Sequence, residues 1–215
     1  YTFIWGPNLK KYYEQFLNSK YVITGSFKNH LIKNQSKKLR KDAIVFISQF
    51  RKHKIENLTN KSQDTINKFK KQILVNASEY CKENNLKLFI LASLVNNKDE
   101  QSYYKDILVN RKFKFINKIK HVDSYKKTRR FKYFFTFTSS FGYEMIGLKK
   151  YTCFATLPPK KELIFKNKNS YKKYKQDFFS IKKRGEFWTV NSSKKEIFRI
   201  LDFITKTNPK KIKNI

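Results

Sequence analysis

Apolar and polar positions along this chain switch between two periods. Ala43–Ser48, AIVFIS, is an unbroken apolar run of strand length and predicts a strand covered on both faces. Asp64–Asn84 follows a helical period, with Ile66, Phe69, Ile73, Leu74, Ala77 and Tyr80 on one face. Leu86–Leu94 reads as a strand. Lys98–Val109 reads as a helix with Tyr103, Tyr104, Ile107 and Leu108 inward, and Phe113–Ile116 as a short strand. Asp123 stands where it can cap a helical turn running to Arg130. Tyr133–Thr138 and Tyr151–Leu157 are aromatic, β-rich strands on either side of a short helix. Ser192-Ser193 opens a last helix, Lys194–Thr205, with Ile197, Ile200, Leu201 and Ile204 as its buried stripe. Upstream, Tyr1–Trp5 and Tyr21–Thr24 predict two strands flanking an amphipathic helix over Leu9–Leu17. Residues 158–190, which open on Pro158-Pro159, read as a long Lys-rich irregular stretch; loops of that length are commonly functional or disordered.

The order of strands and helices from residue 43 onward predicts an α/β fold, Rossmann-like, with a mainly parallel sheet and helices on both faces. Ala43–Ser48, Leu86–Leu94, Tyr133–Thr138 and Tyr151–Leu157 should be neighbouring central strands.

Composition sharpens this picture. The chain has 215 residues, 40% of them hydrophobic and 17% aromatic, ample for a packed core and unlike a disordered polycation. No apolar run approaches the ~20 residues that span a bilayer. The first residues, YTFIWGPNLKK, lack the order of a signal peptide. They also lack an initiator Met and start on a strand-like run, which predicts a piece of a longer protein or a processed product. Cys81 and Cys153 form no C-x-x-C pair, and Cys153 reads as a small buried hydrophobe. His30, His53 and His121 are isolated, so neither a zinc site nor a His-dependent triad is expected.

Lys and Arg number 49 against 16 Asp and Glu, a net charge of +33. Such a field favours polyanions. The cations are mostly Lys, accompanied by abundant Asn, Ile, Phe and Tyr, the amino acids of AT-rich codons, so part of the charge reflects composition. Runs such as Lys37–Lys41 and Lys126–Arg130 read first as solvated faces.

The candidate chemistry lies in residues 133–157. A buried strand ends at Ser139-Ser140, whose hydroxyls can cap the next helix. Gly142 allows close backbone approach there, and Glu144 falls in the first predicted turn. A strand feeding a helix N-terminus through Ser and Gly suits a phosphate, because free N–H groups point out of it. It stands at the carboxyl end of a strand, where open α/β sheets bind ligands. An ordinary capped βαβ connection explains the same residues without a ligand.

YTFIWG…YVITGSFKNH, AIVFISQFR, FTSSFGYEMIGLKKYTCFAT and GEFWTVNSSKKEIFRILDFI, taken in order, resemble the carboxyl-terminal half of bacterial surface-polysaccharide and lipopolysaccharide biosynthesis proteins that look like GT-B glycosyltransferases. The strongest segment is Ser139-Ser140-Phe141-Gly142-Tyr143-Glu144. Relatives commonly carry an acidic residue before the Ser pair; this chain has Thr138.

The resemblance implies that residues 1–27 end an amino-terminal Rossmann-like domain. Residues 28–41 would connect to a nucleotide-sugar-binding domain over 42–205, and 206–215 would form a basic tail. It implies a nucleotide-sugar donor held by Ser139, Ser140, Gly142 and Glu144, by Ser48, Gln49 and Arg51, and by Gly25 and Ser26 on the facing side. The catalytic base stays unassigned. The acceptor would be a glycan or lipid-linked glycan. The cations could neutralise the leaving diphosphate, so no metal or other cofactor is required. A cytoplasmic protein follows, in peripheral contact with the anionic inner face of the cell membrane and with no specific nucleic acid. Two other readings stand beside it: a basic nucleic-acid-binding protein of organellar ribosomal type, and a Rossmann-like scaffold without catalysis.

Overall fold

The computed structural model describes residues 1–4, 10, 13–15, 17–24, 38–51, 58–95, 98–120, 122–157, 162–173 and 184–207. Near the start, β1 (Thr2–Ile4) and β2 (Tyr21–Ile23) pair in parallel as a two-stranded sheet of their own. The main sheet begins with β3 (Arg40–Ile47), followed by α1 (Asn60–Glu83), β4 (Lys87–Leu91), α2 (Lys98–Ile107) and β5 (Lys114–Ile116). Then come α3 (Asp123–Thr128), β6 (Phe131–Thr136), α4 (Ser140–Gly147) and β7 (Tyr151–Ala155). The chain continues through α5 (Lys168–Lys173), β8 (Arg184–Gly185), β9 (Trp188–Thr189) and α6 (Lys194–Lys206).

The seven-stranded sheet runs β5-β4-β3-β6-β7-β9-β8, parallel except for β8, which pairs antiparallel with β9. This is a Rossmann-like α/β fold, with the four expected central strands as neighbours. From β3 the chain winds outward through β4 and β5, then returns to the other side of β3 as β6. The winding direction therefore reverses between β3 and β6, and their carboxyl ends leave a crevice at that switch point.

Alternation along β3 explains the two cores. Ile44 and Phe46 join Tyr133, Phe135, Cys153 and the apolar stripes of α1 and α6 on one face. Ala43, Val45 and Ile47 join Phe89, Phe134, Met145 and Leu148 on the other, under α4. Most of the large aromatic side chains of these strands are therefore packed inside rather than displayed for stacking.

Several boundaries differ from the sequence reading. Helix α1 starts four residues before Asp64, because the Thr59 hydroxyl accepts the Ser62 N–H at 3.4 Å and caps it there. Arg40 and Lys41 already belong to β3, pairing Arg40 with Phe131, so the connection assigned to 28–41 ends sooner; most of that segment lies outside the described residues. The described residues within 158–190 are not simply irregular. Phe165 bridges to Leu58, α5 follows, and β8 and β9 make a hairpin that extends the sheet. Asp123 is not a helix cap: Val122 holds that position, and the Asp123 carboxylate accepts the N–H groups of Ile119 and Lys120 at 2.8 and 2.9 Å. Among the described residues no helix is long and apolar enough to cross a membrane.

Candidate functional site

A cleft of about 390 Å³ opens at the carboxyl edge of the sheet, where β3 and β6 diverge. Ligand pockets commonly measure roughly 300–1,000 Å³. Its walls come from the turn after β3 (Ser48–Arg51), the turn after β4 (Leu91–Ser93), Lys118, Tyr125 of α3, and the start of α4 with Glu144. The two turns singled out in the sequence thus line one cavity. Both follow central parallel strands and must emerge on the same edge.

Ser48 enters the cleft wall as a structural residue. Its hydroxyl donates to the Glu100 carboxylate, lies 2.7 Å from the Tyr104 hydroxyl and accepts the Phe50 N–H. These contacts occupy the oxygen expected to meet a ligand. Glu100 is 0% exposed, and it also accepts the N–H groups of Ser93 and Leu94 at 2.7 and 3.0 Å. A buried carboxylate with three donors locks the turn after β4 onto the end of β3. The Tyr104 hydroxyl is held protonated far above the usual phenol range, chiefly by burial.

Gln49 reaches across to the neighbouring turn, where its side-chain oxygen accepts the Thr138 N–H. Arg51 is exposed at the rim. The nearby Lys70 ammonium stands over the Phe137 ring and has its pKa lowered by burial first and by the Arg51 charge second.

Across the cleft, Ser139 occupies the N-cap position of α4 with extended backbone, but its side chain makes no capping bond, contrary to expectation. Ser140 is the first helical residue and is exposed. In the first turn the Gly142 N–H already donates to the Ser139 carbonyl at 2.9 Å; the N–H groups of Ser140 and Phe141 come before any intrahelical acceptor, and both residues lie in the cleft wall. Glu144 falls in the second turn of α4, not the first, which removes it from the strongest part of the helix dipole. It is 6% exposed, accepts a hydrogen bond from the Tyr125 hydroxyl and has no ion-pair partner among the described residues. Burial and the Glu144 charge together push the Tyr125 pKa well up.

Gly142 has a packing role and is not among the residues that line the cleft. A Cβ there would lie 2.8 Å from Thr136 Cγ2 and 3.1 Å from the Phe154 ring, so the missing side chain lets α4 sit against β6 and β7. Gly25 and Ser26 lie outside the described residues.

The cleft also holds residues that the sequence reading missed. Lys118 is 6% exposed, and its ammonium donates to the Ser93 carbonyl at 2.7 Å. Burial lowers its pKa, opposed by the charges of Glu100 and Asp123. It follows β5 as Arg51 follows β3, so the strand-end signal that flagged Arg51 was present there too. Tyr125 had no such signal, because it arrives from α3. Among the described residues no cluster of His, Cys, Asp and Glu is suited to a metal ion.

A comparison with known protein families matches the chain over residues 1–215 to a family described as "putative O-antigen biosynthesis protein". The chain belongs to this family. No curated protein matches it. Membership fits a role in polysaccharide biosynthesis, the setting that the resemblance implied, and leaves the reaction to be argued from the cleft.

Proposed function

We propose that this O-antigen biosynthesis protein carries the donor-binding unit of a GT-B-like glycosyltransferase and holds a nucleotide-sugar in the switch-point cleft. The observation that carries this reading is the meeting of Arg51, Lys118, the α4 N-terminal turn and Glu144 in one cavity. A nucleotide-sugar presents a diphosphate and a ribose. The diphosphate calls for N–H donors and positive charge, which the α4 turn and the two cations supply. Ribose hydroxyls call for an acceptor, which the buried Glu144 carboxylate supplies while Tyr125 fixes its orientation. In transfer, the bond from sugar to diphosphate breaks and negative charge grows on the leaving phosphate. Fixed cations at that position stabilise the transition state more than the ground state. The acceptor, glycan or lipid-linked, would enter from outside this cleft.

The test is a thermal-shift panel of UDP-, GDP-, ADP- and CDP-sugars and a CMP-sugar. A ligand at 100 times its dissociation constant adds about 2.7 kcal/mol of stability. One nucleotide class should raise the melting temperature by several degrees, and Ser140→Ala should reduce that gain. No shift with any of them would refute the proposal.

A further inference from the structure

The positive charge of this protein is not spread evenly over its sheet. In β3, β4, β5, β6 and β7, which are mutually parallel, every strand starts on one edge and ends on the other. The two residues that follow each strand include one cation, Lys118 of the cleft. The two that precede each strand include Lys38, Lys112, Arg129, Arg130 and Lys149, all exposed, and Lys150, which is buried and donates to the Arg129 carbonyl at 2.8 Å. The strands themselves then open on Arg40-Lys41, Lys87 and Lys114. Asp42 stands among them and is already engaged by Arg40 at 2.9 Å and Lys87 at 3.2 Å. A lysine excess set by codon composition alone would fall on both edges alike.

We infer that this amino-terminal edge is a docking surface for the anionic headgroups of a phospholipid bilayer. Strands lie about 4.8 Å apart, so five starts in a row span about 20 Å. That is too wide for one phosphate and suits an extended charged plane. The cations lie within a few Debye lengths of one another and act together on such a plane. The aromatic rings of this edge argue against nucleic acid. Arg40 lies over both Phe89 and Phe131 at 5.1 Å, and Lys132 over Tyr151 at 4.3 Å. Those ring faces are covered by cations and are not offered to bases, whereas single-strand binding needs open ones. Docked in this way, the protein turns its cleft, on the opposite edge, toward the aqueous phase.

The experiment is co-sedimentation of the full chain with vesicles of phosphatidylcholine alone and of phosphatidylcholine with about a third phosphatidylglycerol, at near-physiological salt. The parent should bind the second and not the first. A fourfold variant, Lys41→Gln, Lys112→Gln, Arg130→Gln and Lys149→Gln, changes only exposed side chains. It should lose affinity by about a hundredfold or more, since each cation at an anionic surface contributes roughly fivefold. A control with the same loss of charge at exposed sites elsewhere, Lys61→Gln, Lys68→Gln, Lys98→Gln and Lys195→Gln, should bind far closer to the parent. If the fourfold variant does not fold, the four single replacements should each weaken binding about fivefold. Failure of the parent to bind anionic vesicles, or equal losses in the edge and control variants, overturns the inference. So does tighter binding of the parent to poly(U) than to anionic vesicles at the same salt, with the edge variant losing it, for then the partner is nucleic acid.

Discussion

The side-chain oxygen of Gln49 accepts the Thr138 N–H at 2.6 Å, joining the end of β3 to the end of β6 across the switch point. Its amide nitrogen lies 3.4 Å from the Thr138 hydroxyl. The Gln49 side chain thus ties the two cleft walls together just beyond the last strand pair, where the Thr136 hydroxyl also donates to the Ile47 carbonyl at 3.1 Å. Gln49→Ala leaves the Thr138 N–H without this acceptor, at a cost of about 1–3 kcal/mol where water cannot replace it. Gln49→Glu keeps an acceptor oxygen and should retain most of the stability. Urea unfolding measures the loss, and amide exchange at Thr138 should quicken in the alanine variant alone. Unchanged exchange would show that the turn holds its shape without Gln49.

Glu144 and Tyr125 form the second pair. If the carboxylate receives ribose hydroxyls, Glu144→Gln should narrow the preference for a ribonucleoside diphosphate over its 2′-deoxy analogue, with the fold intact. Tyr125→Phe removes the donor to a buried carboxylate, a charged hydrogen bond worth about 1.5–3 kcal/mol. It should lower stability as well as nucleotide affinity. Calorimetric titration of both analogues against both variants reads the difference. Equal discrimination by parent and Glu144→Gln would remove Glu144 from the ribose site.

Strand content made the sheet legible in the sequence. Apolar runs such as Ala43–Ser48 have no other stable place than between two helical layers, and their order then dictates the parallel sheet and the edge on which both turns emerge. What escaped the sequence depends on distance in the chain. Tyr125 reaches the cleft only because α3 brings it there, and no local pattern announces that; Lys118 carried the same strand-end position as Arg51, but only the return of the chain to the far side of β3 shows that the end of β5 borders the cleft. The Ser48 hydroxyl looked free because Glu100, fifty-two residues on, is invisible from its neighbours. Gly142 carried a local signal of close approach, and the groups that approach it are Thr136 and Phe154, which its sequence neighbours do not announce.

That reading of Gly142 has its own consequence. Gly142→Ala places a methyl group against the Thr136 side chain and the Phe154 ring, both within the sheet. Overpacking of this kind costs about 1–3 kcal/mol. Thr136→Ser removes the methyl group met first, so the double variant should recover part of the loss. A double-mutant cycle by urea unfolding gives the coupling, and strictly additive effects would place the clash elsewhere.

Lys118 makes an opposed pair of pH effects. Burial lowers its pKa, so over the interval below the ordinary lysine range the unfolded chain holds more protons than the folded one. Stability contributed through this group therefore rises with pH across that interval, as a buried charge is discharged. Anion binding runs the other way, because neutral Lys118 no longer attracts phosphate. Lys118→Met keeps an apolar stem of similar length and has no charge to lose. It should bind a nucleoside about as well as the parent but lose at least tenfold in affinity for the matching nucleoside diphosphate. Its diphosphate affinity should also lack the decline that the parent shows as pH rises toward 10. Titrations of nucleoside and nucleoside diphosphate at several pH values, run on both proteins, separate the charge from the fold. If the parent and Lys118→Met lose diphosphate affinity along the same pH curve, the anion is held by Arg51 and the α4 turn without Lys118.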